Sequence, residues 1–408
     1  MWIGSTLAGL GGQLTLVTVM LHVFELTSST LAVSMVAVAG LAPMILAGLY
    51  GGMLADAFDR RLVALIAAVI TFTSTLLLAA VTWAHLETIW WLYALSIINA
   101  AANSVGMATR SAIVPRLLPR DLLAAASALS GITFGMMVMV GPALAGILVA
   151  TTGYGWTYSI DVVLMLAMFM GLWTLPPLRP EGTIVRPGLE SLVDGWRFLK
   201  RAGNIRMQYI LDIVAMTFGN PIALYPALGT VLLGGGAVTT GALTAAIAVG
   251  TFLSSLFSGR VVRYRWHGLG IQRAVQAYGA SILMFGVILL LGTWMPPVSE
   301  TTINLGLIIA ACIALAASGA ADNISSIYRS TMMQASVPDS IRGRLQGIFV
   351  IVVTGGPRVG ALYVGALSTL TALWFPPLLG GFIVIALVSM LVRLTPRFRA
   401  YDAEDPVP

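Results

Sequence analysis

Charge is scarce in this chain. Of 408 residues, 22 are Lys or Arg and 16 are Asp or Glu, together 9%. A soluble domain carries about 25%. Hydrophobic residues reach 58% and the mean hydropathy is +0.93. This balance excludes a water-soluble globular enzyme, a disordered chain and a nucleic-acid-binding domain. The single cysteine, Cys312, excludes a disulfide framework and a cysteine metal cluster. Lys200 is the only lysine. The chain therefore lacks the G-x-x-x-x-G-K-[ST] loop that cradles nucleotide phosphates, which argues against an ATP-driven pump. His22, His85 and His267 are scattered, and no catalytic constellation appears. No enzyme activity, metal or cofactor is expected.

Long apolar runs are what the chain has. Breaking it at polar and Gly/Pro clusters leaves twelve stretches: 2–24, 31–53, 62–83, 89–112, 122–152, 157–176, 205–230, 239–258, 272–295, 303–333, 343–368 and 372–393. Each is near the 20 or so residues that a helix needs to cross a bilayer. They are too long, and too lacking in alternation, for the strands of a membrane barrel. The first reads as a spanning helix rather than a cleaved leader, because no basic residues precede it. The expectation is an all-α, polytopic membrane protein.

The basic residues orient the stretches. Arg60 and Arg61, Arg116 and Arg120, the cluster from Arg179 to Arg206, Arg260 to Arg265, Arg342 and Arg344, and Arg393 to Arg399 all fall in alternate connections. The other connections, around 25–30, 84–88, 153–156, 231–238, 296–302 and 369–371, contain no Lys or Arg. Positive charge stays in the cytoplasm, so both termini are expected there. Trp83, Trp90, Trp91, Trp156, Trp294 and Trp374 then form an aromatic belt at the outer interface.

The longest polar stretch, 177–204, separates six apolar runs from six. It begins with prolines and continues as an amphipathic segment, with Leu189, Leu192, Trp196 and Leu199 interleaved with Glu190, Asp194, Arg197 and Lys200. This predicts an N-terminal bundle over 1–176, a linker over 177–204, a C-terminal bundle over 205–393 and a tail over 394–408. The halves repeat. Arg110-Ser111 recurs as Arg329-Ser330, and Pro119 as Pro338, at one offset of 219. A parallel repeat of two six-helix halves is the layout of one large transporter class, whose sites lie near the bilayer midplane.

After the second stretch the chain reads Gly51-Gly52-Met53-Leu54-Ala55-Asp56-Ala57-Phe58-Asp59-Arg60-Arg61. This resembles the signature loop of the major facilitator superfamily. Gly52, Asp56, Arg60 and Arg61 match, and Ala57 and Asp59 depart from the pattern. The resemblance implies twelve helices in two pseudo-symmetric bundles. It also implies a conformational latch built from Gly52, Asp56, Arg60, Arg61 and Arg110. Its Asp56 would meet the start of the eleventh helix, near Arg342 and Arg344. A carboxylate against a helix N-terminus contributes ~1–2 kcal/mol. The fifth stretch carries Gly135, Gly141-Pro142 and Gly146, which resembles the Gly-Pro motif of export-type antiporters; glycine-rich packing is the alternative. Segments such as Leu224-Tyr225-Pro226-Ala227-Leu228 and Pro338-Asp339-Ser340-Ile341-Arg342-Gly343-Arg344 are similar to the drug:proton antiporter branch. That branch holds the bacterial enterobactin exporters and the macrolide and multidrug pumps.

Polar groups inside the apolar runs are costly, by at least ~2.5–3.5 kcal/mol for a charge at mid-bilayer, and so are candidates for function. Asn99, Asn103 and Arg110 share a helical face, and Ser318, Asp322 and Arg329 repeat it, with Asn323 adjacent. Gln13 and Asn220 are repeat mates. Gln13, Asn99, Asn103, Asn220, Ser318 and Asn323 are the expected cavity residues; helix–helix hydrogen bonding is the alternative. Asp161 fits a structural hydrogen bond. Asp212, Asp322 and Arg358 are the candidates for proton coupling. Asp322 and Arg358 read as an ion pair that exchanges for a proton. The alternatives are an Arg358 that holds an anionic substrate, or a static pair.

The resemblance implies a secondary transporter that exports a bulky amphipathic molecule, a siderophore or drugs, against protons. An importer or a non-transporting sensor on the same scaffold is the alternative. Its partners would be a small molecule, protons and the lipid of a bacterial inner membrane, with no nucleic acid and a monomeric state. One proton moving through 100 mV supplies about 2.3 kcal/mol.

Overall fold

The structure, a computed structural model, describes residues 1–119, 122–178, 196–296, 303–405 and 407. Among the described residues there is helix and no strand. With no water to take up backbone amides and carbonyls, a chain this apolar closes its hydrogen bonds within each segment.

The principal helices are α1 (Trp2–Thr27), α2 (Thr30–Ala39), α3 (Leu41–Ala57), α4 (Arg60–Trp83), α5 (Ile89–Leu117), α6 (Leu123–Trp173), α7 (Gly203–Phe218), α8 (Gly236–Ser255), α9 (His267–Gly292), α10 (Leu305–Ser336), α11 (Asp339–Leu370) and α12 (Phe375–Leu394). Nine helical segments among the described residues are long and apolar enough to cross a membrane. Each of the twelve expected stretches overlaps helix, though four differ in detail. The second is interrupted at Gly40, between α2 and α3. The fifth and sixth run together as α6, broken only at Gly153, whose φ of 82° suits glycine. The seventh ends at Phe218; past Pro221 the chain continues as a 3₁₀ turn over Ile222–Leu224 and a π turn over Leu228–Leu232. Proline removes an amide donor, so a regular helix does not continue through it from a preceding turn without adjustment.

The chain divides into two compact units, Met1–Arg186 with Gly236–Ala245, and Pro187–Gly235 with Ala246–Pro408. In the first, α1 packs along α6, and α4 and α3 pack on α5. In the second, α9 packs on α10 and α12, and α7 on α11. Small residues permit these approaches. Gly250 faces the backbone of Ala316, Gly319 that of Ile247, and Gly360 that of Met216. Hydroxyls inside the helices mostly bond back to their own carbonyls, as Thr71 does to Ala67 and Thr109 to Val105. The exterior is apolar: Leu46, Ile66, Val163 and Ile313 are exposed, which suits lipid as solvent. Trp83, Trp90, Trp91, Trp156 and Trp294 are exposed too, and Trp83 donates to Ser159 at 3.2 Å.

Most of the amphipathic linker lies outside the described residues. Its last part, 196–201, is helical, with Trp196 exposed and Leu199 buried.

Candidate functional site

Each unit holds a cluster of polar groups that includes buried charge. In the second unit the centre is Arg329 on α10. Its Nη1 forms an ion pair with Asp212 of α7, and its Nη2 lies 3.4 Å from Asp322, two turns earlier on the same helix. Seven residues advance about 10.5 Å along a helix, and the long arginine side chain spans that rise. Arg329 and Asp212 are 6% and 3% exposed, whereas Asp322 is 39% exposed. Two carboxylates thus share one guanidinium, and the cluster has one acid more than it has bases.

The expected Asp322–Arg358 pair is therefore corrected: Asp322 pairs with Arg329. Sequence repetition marks Arg329 as the mate of Arg110 and by itself gives it no role in coupling. The i, i+7 spacing of Asp322 and Arg329 was the available signal. Arg358 follows Pro357 on α11. The Pro357 carbonyl accepts a hydrogen bond from Asn220 at 3.4 Å, and the Asn220 side-chain oxygen accepts from the Ile222 amide at 3.3 Å. Asn220 thus fastens the end of α7 to α11 where both helices are irregular. Ser318 is buried and donates to the Leu315 carbonyl at 2.7 Å. Asn323 donates to Ser254 and Ser255 of α8 at 2.8 and 3.0 Å. These two residues make helix contacts.

In the first unit, Asn99, Asn103, Arg110 and Asp161 line one partly open cavity of about 40 Å3 between α1, α4, α5 and α6. Asn99 also donates to Ser74 and Thr75 at 3.3 and 3.1 Å. Asp161 is 1% exposed and accepts a hydrogen bond from Thr15 at 2.5 Å. Gln13 packs instead on Gly141. In the glycine motif, Gly146 faces the backbone of Ala237 and Gly241, and α6 runs on through Pro142. A side chain at Gly135 would meet nothing within 4 Å.

Two residues of the signature loop tie helices together within the first unit. Arg60 donates to the Ala112 carbonyl and Arg61 to the Trp173 carbonyl, each at 2.9 Å. Asp59 caps α4 by accepting from the Arg61 amide at 2.9 Å. The surroundings of Gly52 and the side chains of Asp56, Arg342 and Arg344 lie outside what the structure describes.

A model for a major facilitator family described as transmembrane secretion effector matches residues 1–408. The chain belongs to this family. The enterobactin exporter EntS of Citrobacter koseri is 28% identical over 363 residues, which cover 88% of this chain and 82% of the relative. The D-xylose–proton symporter superposes with a TM-score of 0.72 at 14% identity, over 97% of this chain and 98% of the symporter. The Escherichia coli xylose transporter XylE, inward open, gives 0.70 at 15% identity over 96% and 95%. These superpositions show the major facilitator fold. The protein is a multi-pass membrane protein and a secondary transporter, not an enzyme.

Proposed function

We propose that this transporter exports a bulky amphipathic molecule of the siderophore or drug class in exchange for protons. The observation that carries the coupling is the charge balance of Asp212, Arg329 and Asp322. With both acids ionised the cluster holds one negative charge in excess, inside a medium where such a charge is expensive. Uptake of one proton makes it neutral. Asp322, the more exposed acid, is the group that exchanges; Asp212 holds the arginine in place. A cluster that alternates between one net charge and none biases two conformations differently, which coupling requires.

Export is supported by the secretion-effector description of the family and by the exporter relatives. The name of those relatives supports a siderophore. The arginine distribution supports a bacterial inner-membrane location with both termini in the cytoplasm.

Transport in inside-out vesicles tests this reading. An acid interior should drive accumulation of a catecholate siderophore or a dye. Asp322→Asn should abolish accumulation while leaving downhill exchange of the same compound. Proton-driven accumulation retained by that variant would overturn the assignment of Asp322, and accumulation without a proton gradient would overturn antiport.

A further inference from the structure

The first unit contains an acid that the coupling cluster does not use. Asp161 lies in the second half of α6, where it is 1% exposed. Its Oδ2 accepts from the Thr15 hydroxyl, and its Oδ1 has no hydrogen-bond partner in the protein. That oxygen lies against the backbone of Gly11, where a larger residue would collide with it. A buried carboxylate with one bare oxygen is among the costlier arrangements in a protein interior.

Asp161 is also part of the wall of the 40 Å3 cavity. A water needs roughly 10–15 Å3 of such space and two or more polar partners, so there is room for two or three. Gly12 has open space where a side chain would go, and Asn103 and Arg110 supply polar groups on the α5 side. Among the described residues no carboxylate pairs with Arg110.

The repeat sharpens the contrast. At the offset of 219, Arg110 corresponds to Arg329 and Asn103 to Asp322. The first unit thus keeps the arginine, replaces the acid on that helix with an amide, and places an acid on α6 instead.

We infer that this cavity is a second proton-binding site, in which the Asp161 carboxyl takes a proton from cavity water. A hydronium ion and the carboxylate become water and a carboxylic acid, with the new O–H on Oδ1, the oxygen that has no partner. Against Asp161, α1 places Gly11 and Thr15, and α4 places Thr71 on the cavity wall. On α5, Arg110 is the charged group on the cavity wall. His22 of α1 and Tyr158 of α6 bond to each other at 3.4 Å, two turns from Thr15 and one from Asp161 respectively. The site does not depend on the transport reading.

Infrared difference spectra of the purified protein, recorded from acid to alkaline pH, test the proposal without any transport. The wild type should show a carboxylic-acid C=O band that titrates. Asp161→Asn should lose one component of that band, and Asp322→Asn should keep that component. Thr15→Val leaves Asp161 in place and should displace the midpoint, which provides a readout should Asp161→Asn fold poorly. A carboxylic-acid region that Asp161→Asn leaves identical to wild type in folded protein would overturn the proposal, as would an Asp161-sensitive component that never titrates or whose midpoint is unmoved in Thr15→Val. Loss of the band on replacing choline with sodium would also overturn it, by marking a metal-cation site.

Discussion

The guanidinium of Arg329 meets the carboxylate of Asp212 across α7 and α10, with both groups almost wholly withdrawn from solvent. Removing one partner of such a pair strands the other, at a cost of about 3–5 kcal/mol. Arg329→Gln should lower the thermal midpoint in detergent, and adding Asp212→Asn should recover part of the loss. A single variant that melts like wild type would show that the pair does not hold the unit together.

The two acids should differ when neutralised. Asp322 is 39% exposed and Asp212 is 3% exposed. Asp322→Asn keeps the Asp212–Arg329 pair and should stay within about 1 kcal/mol of wild type, as expected for a partly solvated interaction. Asp212→Asn should cost several-fold more. Thermal melts of the two variants side by side check this, and the reverse order would refute it.

The glycines of the α6 motif should not behave alike. Gly135 has open space where a Cβ would go. Gly135→Ala should be neutral or raise stability by up to about 1 kcal/mol, since glycine is a poor helix residue. Gly146 abuts the backbone of Ala237 and Gly241. Gly146→Leu must push two backbones apart and should cost at least about 1–3 kcal/mol. Folded yield and melting of the pair decide this; equal effects would mean that packing does not explain the motif.

The C-terminal tail should detach at acid pH. Arg265 forms hydrogen bonds to both Asp402 carboxylate oxygens, at 2.9 and 2.8 Å through Nε, and lies 3.3 Å from Glu404. Tyr401 bonds to Ser336 at 2.6 Å. The Arg265 bonds hold the Asp402 carboxyl below its usual range, and the Asp402 bonds hold Arg265 above its own. A lowered carboxylate favours docking fully above the free-acid value near 3.9. That contribution fades as pH falls from there through the docked-state value. Proteolysis of the tail should be slow at neutral pH and faster below about pH 4. Arg265→Ala should make it fast at neutral pH, and unchanged cleavage in that variant would discount the clamp.

Much of the fold was legible because lipid imposes a simple rule. A run of about 20 apolar residues has to be helix, and the twelve stretches accordingly overlap helix. The joins were less legible. Gly40, Gly153 and the turns after Pro221 depend on local backbone geometry that hydropathy does not report. Helical spacing alone places Asn99, Asn103 and Arg110 on one face of α5, and all three lie on the wall of the 40 Å3 cavity. Asp161 was read only as a hydrogen-bonded acid because its neighbours, Gly11 and Thr15, are about 150 residues away in sequence.

The scarcity of charge by itself determined that this protein lives in a bilayer, and the placing of its arginines implied which way it threads. It also narrowed the chemistry to a few buried ions. Which of those ions meet was decided only by tertiary structure. Asp322 could reach Arg329 along its own helix or Arg358 on another, and spacing does not choose between them. The packing of α7 against its neighbours brings Asp212 to Arg329, and that contact fixes the cluster as two acids around one base.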